Sequence, residues 1–221
     1  MSYTINIETG GTFTDGFITD QTISIRTKVE TTPHDLTAGI LACIDQGATF
    51  LGVTRPELLQ NTETVRFSTT LSTNTLINRS GPKVGLLIGS RLAELVINTL
   101  PEDLPLQEEL IVCLDEGSGG VDAKGVSEAV HQLLERGARI LVVALDSGAD
   151  LSERETAVRV AITNDFPRHY LGAVPVLCSN QITLSNSDVI RVNTAIVNAY
   201  LHHDMSRVLY RVEDQLRLDG Y

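Results

Sequence analysis

The sequence is short of positive charge: 17 Lys and Arg stand against 28 Asp and Glu, a formal net charge of −11. A chain this acidic repels polyanions, so nucleic acid and anionic membrane surfaces are not expected as partners. It has no apolar run approaching the roughly 20 residues that a bilayer-spanning helix needs. The opening MSYTINIETGG has no basic start followed by an apolar core, so it does not read as a secretory leader and a cytoplasmic location is expected. Cysteine is scarce, and Cys43, Cys113 and Cys178 are odd in number, widely spaced and set among apolar neighbours. That argues against a disulfide framework or a zinc site and predicts reduced core thiols. Internal repeats and low-complexity linkers are also missing. What remains is a chain of 221 residues with 42% hydrophobic content, enough to bury a real core.

Short runs rich in β-branched and aromatic residues, 3–7, 13–19 and 22–28, are separated by Gly-Gly and Asp-Gln turn signals. They predict an antiparallel β-meander. From His34 to Gly47, Leu36, Ile40, Leu41 and Ile44 share one helical face, with Gly47 as the stop,. A strand is expected over 65–70, then a helix capped by Ser72 or Thr73 and ended by Ser80-Gly81-Pro82,. Strands at 83–89, 109–116, 139–147 and 174–180 alternate with helices at 91–99, 126–137 and 152–164, a succession that implies a mainly parallel sheet. The acidic stretch DEGSGGVDAKG (115–125) reads as a plain loop, because its carboxylates would oppose phosphate,. From Ser187 to Leu218 there is no Gly or Pro. A long helix is predicted there, with a solvated break near His202-His203-Asp204 and more than one apolar face seeking cover. The fold class is α/β.

The stretch IETGGTFTDG, Ile7 to Gly16, concentrates the chemistry. Polyphosphate is bound by fixed N–H donors, and a glycine pair with φ above zero turns successive amides into one concavity. Thr9, Gly10, Gly11 and Thr12 supply that turn, and Thr12 and Thr14 add hydroxyls. Glu8 and Asp15 are acidic groups of the kind that hold Mg2+ through its waters. No lysine lies in the loop, so it is not a Walker A site, and Gly-Gly in a hairpin is not a Rossmann turn. Read alone, it is also an ordinary hairpin.

IETGGTFTDG resembles the phosphate-binding opening of the actin-like (ribonuclease H-like) ATPase superfamily, and most closely that of the hydantoinase A and 5-oxoprolinase family with its ATP-dependent acetone and acetophenone carboxylases. The likeness continues through TKVETTPHDLTAGI (27–40), RFSTTLSTNTLINRSGPKVGLL (66–87) and RVNTAIVNAYL (191–201), in collinear order over nearly the whole chain. It implies an N-terminal ATPase lobe, with residues 1–185 as the hydantoinase/oxoprolinase-type domain and 186–221 as a helix leading into a separate C-terminal lobe. It implies ATP and Mg2+ as cofactors, phosphate held by Thr9, Gly10, Gly11, Thr12 and Thr14, and a second wall from Thr69, Thr70 and Asn74. Glu8 and Asp15 would hold the metal through water.

Two departures from the family pattern stand out. Glu8 replaces the usual Asp, and Phe67-Ser68 replaces a His-Gly pair before Thr69-Thr70. No second phosphate loop is visible between Val126 and Tyr221; the resemblance implies that a second lobe supplies that loop and the adenosine pocket, and that the partner is a complementary C-terminal lobe or a hydantoinase B-like subunit. The resemblance implies ATP-dependent hydrolysis of a cyclic amide or carboxylation of a ketone through phosphorylated intermediates. The alternative is a non-catalytic assembly subunit that keeps the fold without ATP chemistry.

Overall fold

The computed structural model describes residues 2–20, 22–117, 120–166 and 174–221. These fall into two compact units, one built from residues up to Asn78 together with Asp204–Tyr221, the other from Arg79–His203.

In the first unit, β1 (Tyr3–Thr9), β2 (Phe13–Thr19) and β3 (Ser24–Glu30) form the predicted meander, and β4 (Thr62–Thr69) joins β1 in parallel to give the order β3-β2-β1-β4. Period-2 alternation puts Ile5, Ile7 and Ile18 on one face. There they meet Ile40, Cys43 and Ile44 of helix α1 (Leu36–Leu51). Strand β3 begins two residues later than expected because the Asp20 carboxylate captures the amides of Thr22 and Ile23 at 2.7 and 2.6 Å, holding the preceding residues in a turn.

Gly47 is not the stop of α1. It lies buried inside the helix, where a Cβ would sit 2.1 Å from Ile18 Cδ1, so its role is to let the helix approach the sheet. The helix ends at Gly52, whose φ of 74° lets its N–H reach the carbonyls of Ala48 and Thr49,. A second helix, α2 (Arg55–Gln60), follows at once and carries Leu58 and Leu59 into the core. Thr54 and Glu57 cap each other reciprocally at its start,.

The second unit holds a four-stranded sheet of order β10-β9-β5-β6, all parallel, made of β5 (Val84–Gly89), β6 (Ile111–Leu114), β9 (Ile140–Ala144) and β10 (Val176–Cys178). Between β6 and β9 the chain forms a small ladder of β7 (Glu116–Gly117) and β8 (Gly120–Val121). Ser118 and Gly119 of the expected loop lie outside the described residues. The described strands thus divide among one mixed sheet, one parallel sheet and the small β7–β8 ladder, where the sequence pattern pointed to one mainly parallel sheet after the meander.

Strands β5 and β9 are buried at every position, which is why they read as unbroken apolar runs. Alternate residues serve opposite layers. Val84, Leu86, Ile140 and Val142 face helix α4 (Ser90–Val96) and the first half of the terminal helix, through Leu92, Val96, Val192 and Ile196. Leu87, Leu141 and Val143 face α5 (Ala123–Glu135) and α6 (Leu151–Asp165), through Val126, Val130, Leu133 and Val158. Asp122 caps α5, accepting from the Gly125 amide at 3.3 Å. After β10 comes a single turn, α7 (Ser179–Ile182), and then α8 (Asp188–Leu218).

Helix α8 is continuous across His202-His203-Asp204, so the predicted break is absent. With no Gly or Pro in the segment, nothing interrupts its backbone ladder. Residues Val192–Tyr200 pack in the second unit, and Val212 and Leu216 in the first. Among the described residues no helix is long and apolar enough to cross a membrane.

The second unit encloses an ionic cluster. Arg191 and Glu155 are 2% and 0% exposed and pair at 3.2 Å. Glu155 also accepts from the Leu145 amide at 3.1 Å, the Ser179 hydroxyl at 2.6 Å and the Asn180 amide at 2.9 Å. Arg191 reaches the Leu145 carbonyl and Asp188 at 2.9 and 2.8 Å, and the Ser179 hydroxyl. Burial works against the Asp188 carboxylate, but the Ser147 hydroxyl and Arg191 outweigh it and hold the group below its ordinary pKa. The cluster fastens α6, α7, α8 and the end of β9 together.

Cys43 and Cys178 are buried as expected, but Cys113 is exposed. It occupies the sheet's edge strand β6 on a position left open by the helices. Burial, and then the Glu155 carboxylate, push the Cys178 thiol up to about 11. Burial likewise raises Cys43.

Two outcomes follow from this packing. Arg191→Ala is expected to cost about 3–5 kcal/mol in urea unfolding, because it strands the buried Glu155 carboxylate; Arg191→Met combined with Glu155→Leu should cost less than the single change. In native protein, an aromatic disulfide reagent should titrate Cys113 alone, with Cys43 and Cys178 reacting only after unfolding.

Candidate functional site

The β1–β2 hairpin sits at the end of the first unit's sheet, where the parallel register sets Thr9 beside Thr69 and Glu8 beside Ser68. Across the hairpin, Thr9 faces Thr14 and Glu8 faces Asp15. Two sequence motifs some sixty residues apart therefore meet at one edge: the Gly-Gly turn and the Thr69-Thr70 turn. The Thr70 amide bonds the Thr9 carbonyl at 3.4 Å.

The glycines work differently from the expectation. Neither Gly10 nor Gly11 has left-handed backbone; the described glycines with positive φ are Gly52, Gly137 and Gly220. Gly10 is needed for space, since a Cβ there would lie 3.2 Å from the Phe13 carbonyl oxygen to which its own amide donates at 3.0 Å. Gly11 is at the open tip, with nothing within 4 Å of a Cβ. Gly11 and Thr12 are both exposed, and no acceptor within the described residues takes their N–H groups.

Thr31, from the segment after β3, clamps this loop. Its amide donates to the Thr12 carbonyl at 2.9 Å and its hydroxyl to the Gly10 carbonyl at 2.9 Å. Its Oγ1 also lies 3.0 Å from Thr14 Oγ1. The carbonyls of Thr9, Gly10 and Thr12 are thus all engaged within the protein, while amides remain at the tip.

The predicted phosphate residues divide into two layers. Thr9 and Thr14 are 1% and 0% exposed and lie beneath the turn, facing α1. Thr14 is satisfied by Thr31, whereas the Thr9 hydroxyl has no hydrogen-bond partner. Gly10, Gly11 and Thr12 form the accessible layer.

In the second wall, helix α3 runs over Leu71–Ile77. It starts at Thr70 and not at Ser72 or Thr73, because the Thr69 hydroxyl already accepts from the Leu71 amide at 3.1 Å. Asn74 is exposed one turn later, its amide bonded to the Thr70 carbonyl at 2.9 Å.

On the sheet face away from α1, the register lines up Lys28, Asp15, Glu8 and Ser68 across all four strands. Sequence reasoning missed Lys28, because the pairing that brings it here is between β3 and β2. Its ammonium lies 2.7 Å from Asp15 Oδ1 and 4.8 Å from the centre of the Phe13 ring. Glu8 is exposed. Below this row runs a second one, Arg26, Phe17, Asn6 and Arg66, and these four with Glu8, Asp15 and Ser68 of the first row line a groove of about 610 Å³. Among the described residues, no group of three or more His, Cys, Asp and Glu is arranged to hold a metal.

Residues 4–166 match the hydantoinase/oxoprolinase N-terminal region. The chain belongs to the hydantoinase/oxoprolinase family. Within that family it is 33% identical to the acetophenone carboxylase gamma subunit of Aromatoleum aromaticum, over 98% of this chain and 33% of that one. It is 26% identical to the caprolactamase subunit alpha of Pseudomonas jessenii, over 96% of this chain and 33% of that one. The chain therefore spans about a third of the length of the curated relatives it matches.

Two solved structures share the fold. Nucleotide-free acetone carboxylase superposes with a TM-score of 0.82 at 22% identity, and the ATP-dependent caprolactamase of Pseudomonas jessenii with 0.74 at 25%. Each comparison covers 98% of this chain and 34% of the other. The mixed α/β architecture, with its opening meander and long terminal helix, is the one that the family likeness implied.

The two buried threonines are separable by stability. Thr14→Val, which removes a hydroxyl bonded to Thr31, should cost about 1 kcal/mol in denaturant unfolding. Thr9→Val, which removes an unpaired buried hydroxyl, should be neutral or slightly stabilising.

Proposed function

We propose that this chain is the phosphate-binding N-terminal lobe of an ATP-dependent enzyme that activates a cyclic amide for hydrolysis or a ketone for carboxylation. The observation that carries this reading is the hairpin tip. Gly11 and Thr12 offer N–H groups without internal acceptors beside an open space at Gly11, while the carbonyls of Thr9, Gly10 and Thr12 are engaged within the protein. Fixed donors of this kind, aimed where negative charge will sit, are the equipment that phosphate binding and phosphoryl transfer require.

The residues present fit a nucleotide polyphosphate. Gly11 and Thr12 would contact it directly, Gly10 would permit the turn, and Thr9 and Thr14 would support it from below. Thr69, Thr70 and Asn74 stand beside it as the second wall. A Mg2+ ion here would rest chiefly on phosphate oxygens and water, as this ion commonly does, with Glu8 as the available carboxylate and Asp15 shared with Lys28. ATP would supply a phosphoryl group to a weakly nucleophilic amide, enolate or bicarbonate oxygen, with ADP as the leaving group.

The curated relatives are named as subunits. By analogy, this lobe works with a complementary C-terminal lobe or a hydantoinase B-like subunit that completes the adenosine pocket, in the cytoplasm. The second reading, an assembly subunit without ATP chemistry, is favoured by one observation, the engagement of Asp15 by Lys28.

The deciding measurement is Mg-ATP binding by calorimetry on the chain assembled with its complementary polypeptide. Saturable binding that is lost in Gly11→Asp, a change with room for its side chain, supports the enzyme. An assembled complex that binds no nucleotide leaves the structural subunit.

A further inference from the structure

We infer that Lys28 is the cation of this phosphate site and that its ammonium exchanges Asp15 for the polyphosphate when the ligand arrives. The inference rests on the phosphate reading of the hairpin. A glycine turn that binds polyphosphate through amides alone leaves several negative charges poorly matched, and sites of this kind ordinarily add a mobile point charge. The loop contains no lysine. The fold brings one in from the neighbouring strand.

Three features place Lys28 for that role. First, the β2–β3 register sets it directly opposite Asp15, on the same face as the Phe13–Glu30 pair that borders the turn and one row below it. Second, its ammonium lies over the ring of Phe13, the residue that closes the turn, at 4.8 Å from the ring centre. Its side chain therefore leans from its own row towards the turn. Third, its present partner is replaceable: both ends of the Lys28–Asp15 pair are about half exposed, 56% and 48%, so the bond is screened and weak. Its backbone is held in place, since the Lys28 amide donates to Gln46 Oε1 of α1 at 2.9 Å. A fixed main chain with a loosely held ammonium is the arrangement that allows a change of partner without movement of the sheet.

The same geometry assigns Asp15 a second role. It keeps the ammonium oriented when no anion is present and competes with the anion for it. This gives the pair an opposite-sign signature. If Lys28 only stabilised Asp15, removing either residue would have the same effect on the hairpin. If Lys28 binds phosphate, removing the lysine weakens binding and removing the carboxylate strengthens it.

The test titrates inorganic tripolyphosphate, without divalent metal, into the ¹⁵N-labelled full chain at low salt, following the amides of Gly10, Gly11 and Thr12. These amides report on the hairpin reading, and the variants report on Lys28. Wild-type chain should show saturable shifts of the loop amides. Lys28→Met should weaken the fitted affinity about tenfold, Lys28→Arg should restore most of it, and Asp15→Asn should tighten it roughly two- to fivefold. Loop shifts that saturate equally in wild type and Lys28→Met would overturn the role of Lys28 and leave the hairpin reading intact. Asp15→Asn weakening binding in step with Lys28→Met would reduce the pair to a structural contact. Loop amides that do not respond in wild type at all would remove the hairpin reading, and Lys28 with it.

Discussion

The parallel pairing of β1 with β4 is the constraint on which the candidate site depends. The hairpin turn and the Thr69-Thr70 turn are far apart in sequence, and only this ladder places both at one end of one sheet. Because side chains alternate strictly along a strand, a slip of one residue would send Thr9 to the solvent face and Glu8 into the core. The isoleucines forbid that slip. Ile5 and Ile7 are locked against α1, so burial of apolar side chains sets the position of the polar ones. The candidate-site end of the sheet inherits its geometry from its greasy face.

Much of this was legible in the sequence, and the reasons are specific. The meander, the buried strands β5 and β9 and the terminal helix carry strong periodic signals that few alternatives can mimic. Element ends were less legible, because local hydrogen bonds decide them. Asp20 delayed β3, and Thr69 moved the start of α3. Gly47 was misread because a glycine that stops a helix and a glycine that lets a helix approach a sheet look identical in one dimension. Helix α2 carries a local signature in Thr54-Arg55-Pro56-Glu57, a capping box with an early proline,.

At the candidate site, the layering of the turn residues was not legible in the sequence. Thr9 and Thr14 proved to be buried supports, and the glycines proved to be a matter of clearance and exposure, without left-handed backbone. Lys28 and Thr31 lay inside a stretch that was recognised, yet their contacts arise from strand pairing and chain return, which no local pattern encodes. The Arg191–Glu155 cluster was invisible for the same reason: its members come from separate helices and are joined only by packing. It also explains why RVNTAIVNAYL carries more than helix-forming residues, since the arginine at its head is the tie between three helices.

The Thr31 clamp has an electrostatic consequence. A peptide loop is ordinarily neutral in its dealings with solvent, offering oxygen and hydrogen in equal measure, and it must reorganise to favour an ion of either sign. Here the amide and hydroxyl of one threonine withdraw the Gly10 and Thr12 oxygens from solvent, and the exposed remainder is biased towards hydrogen. On the phosphate reading proposed above, that bias is installed during folding, by Thr31, a residue from another segment that need never touch the ion.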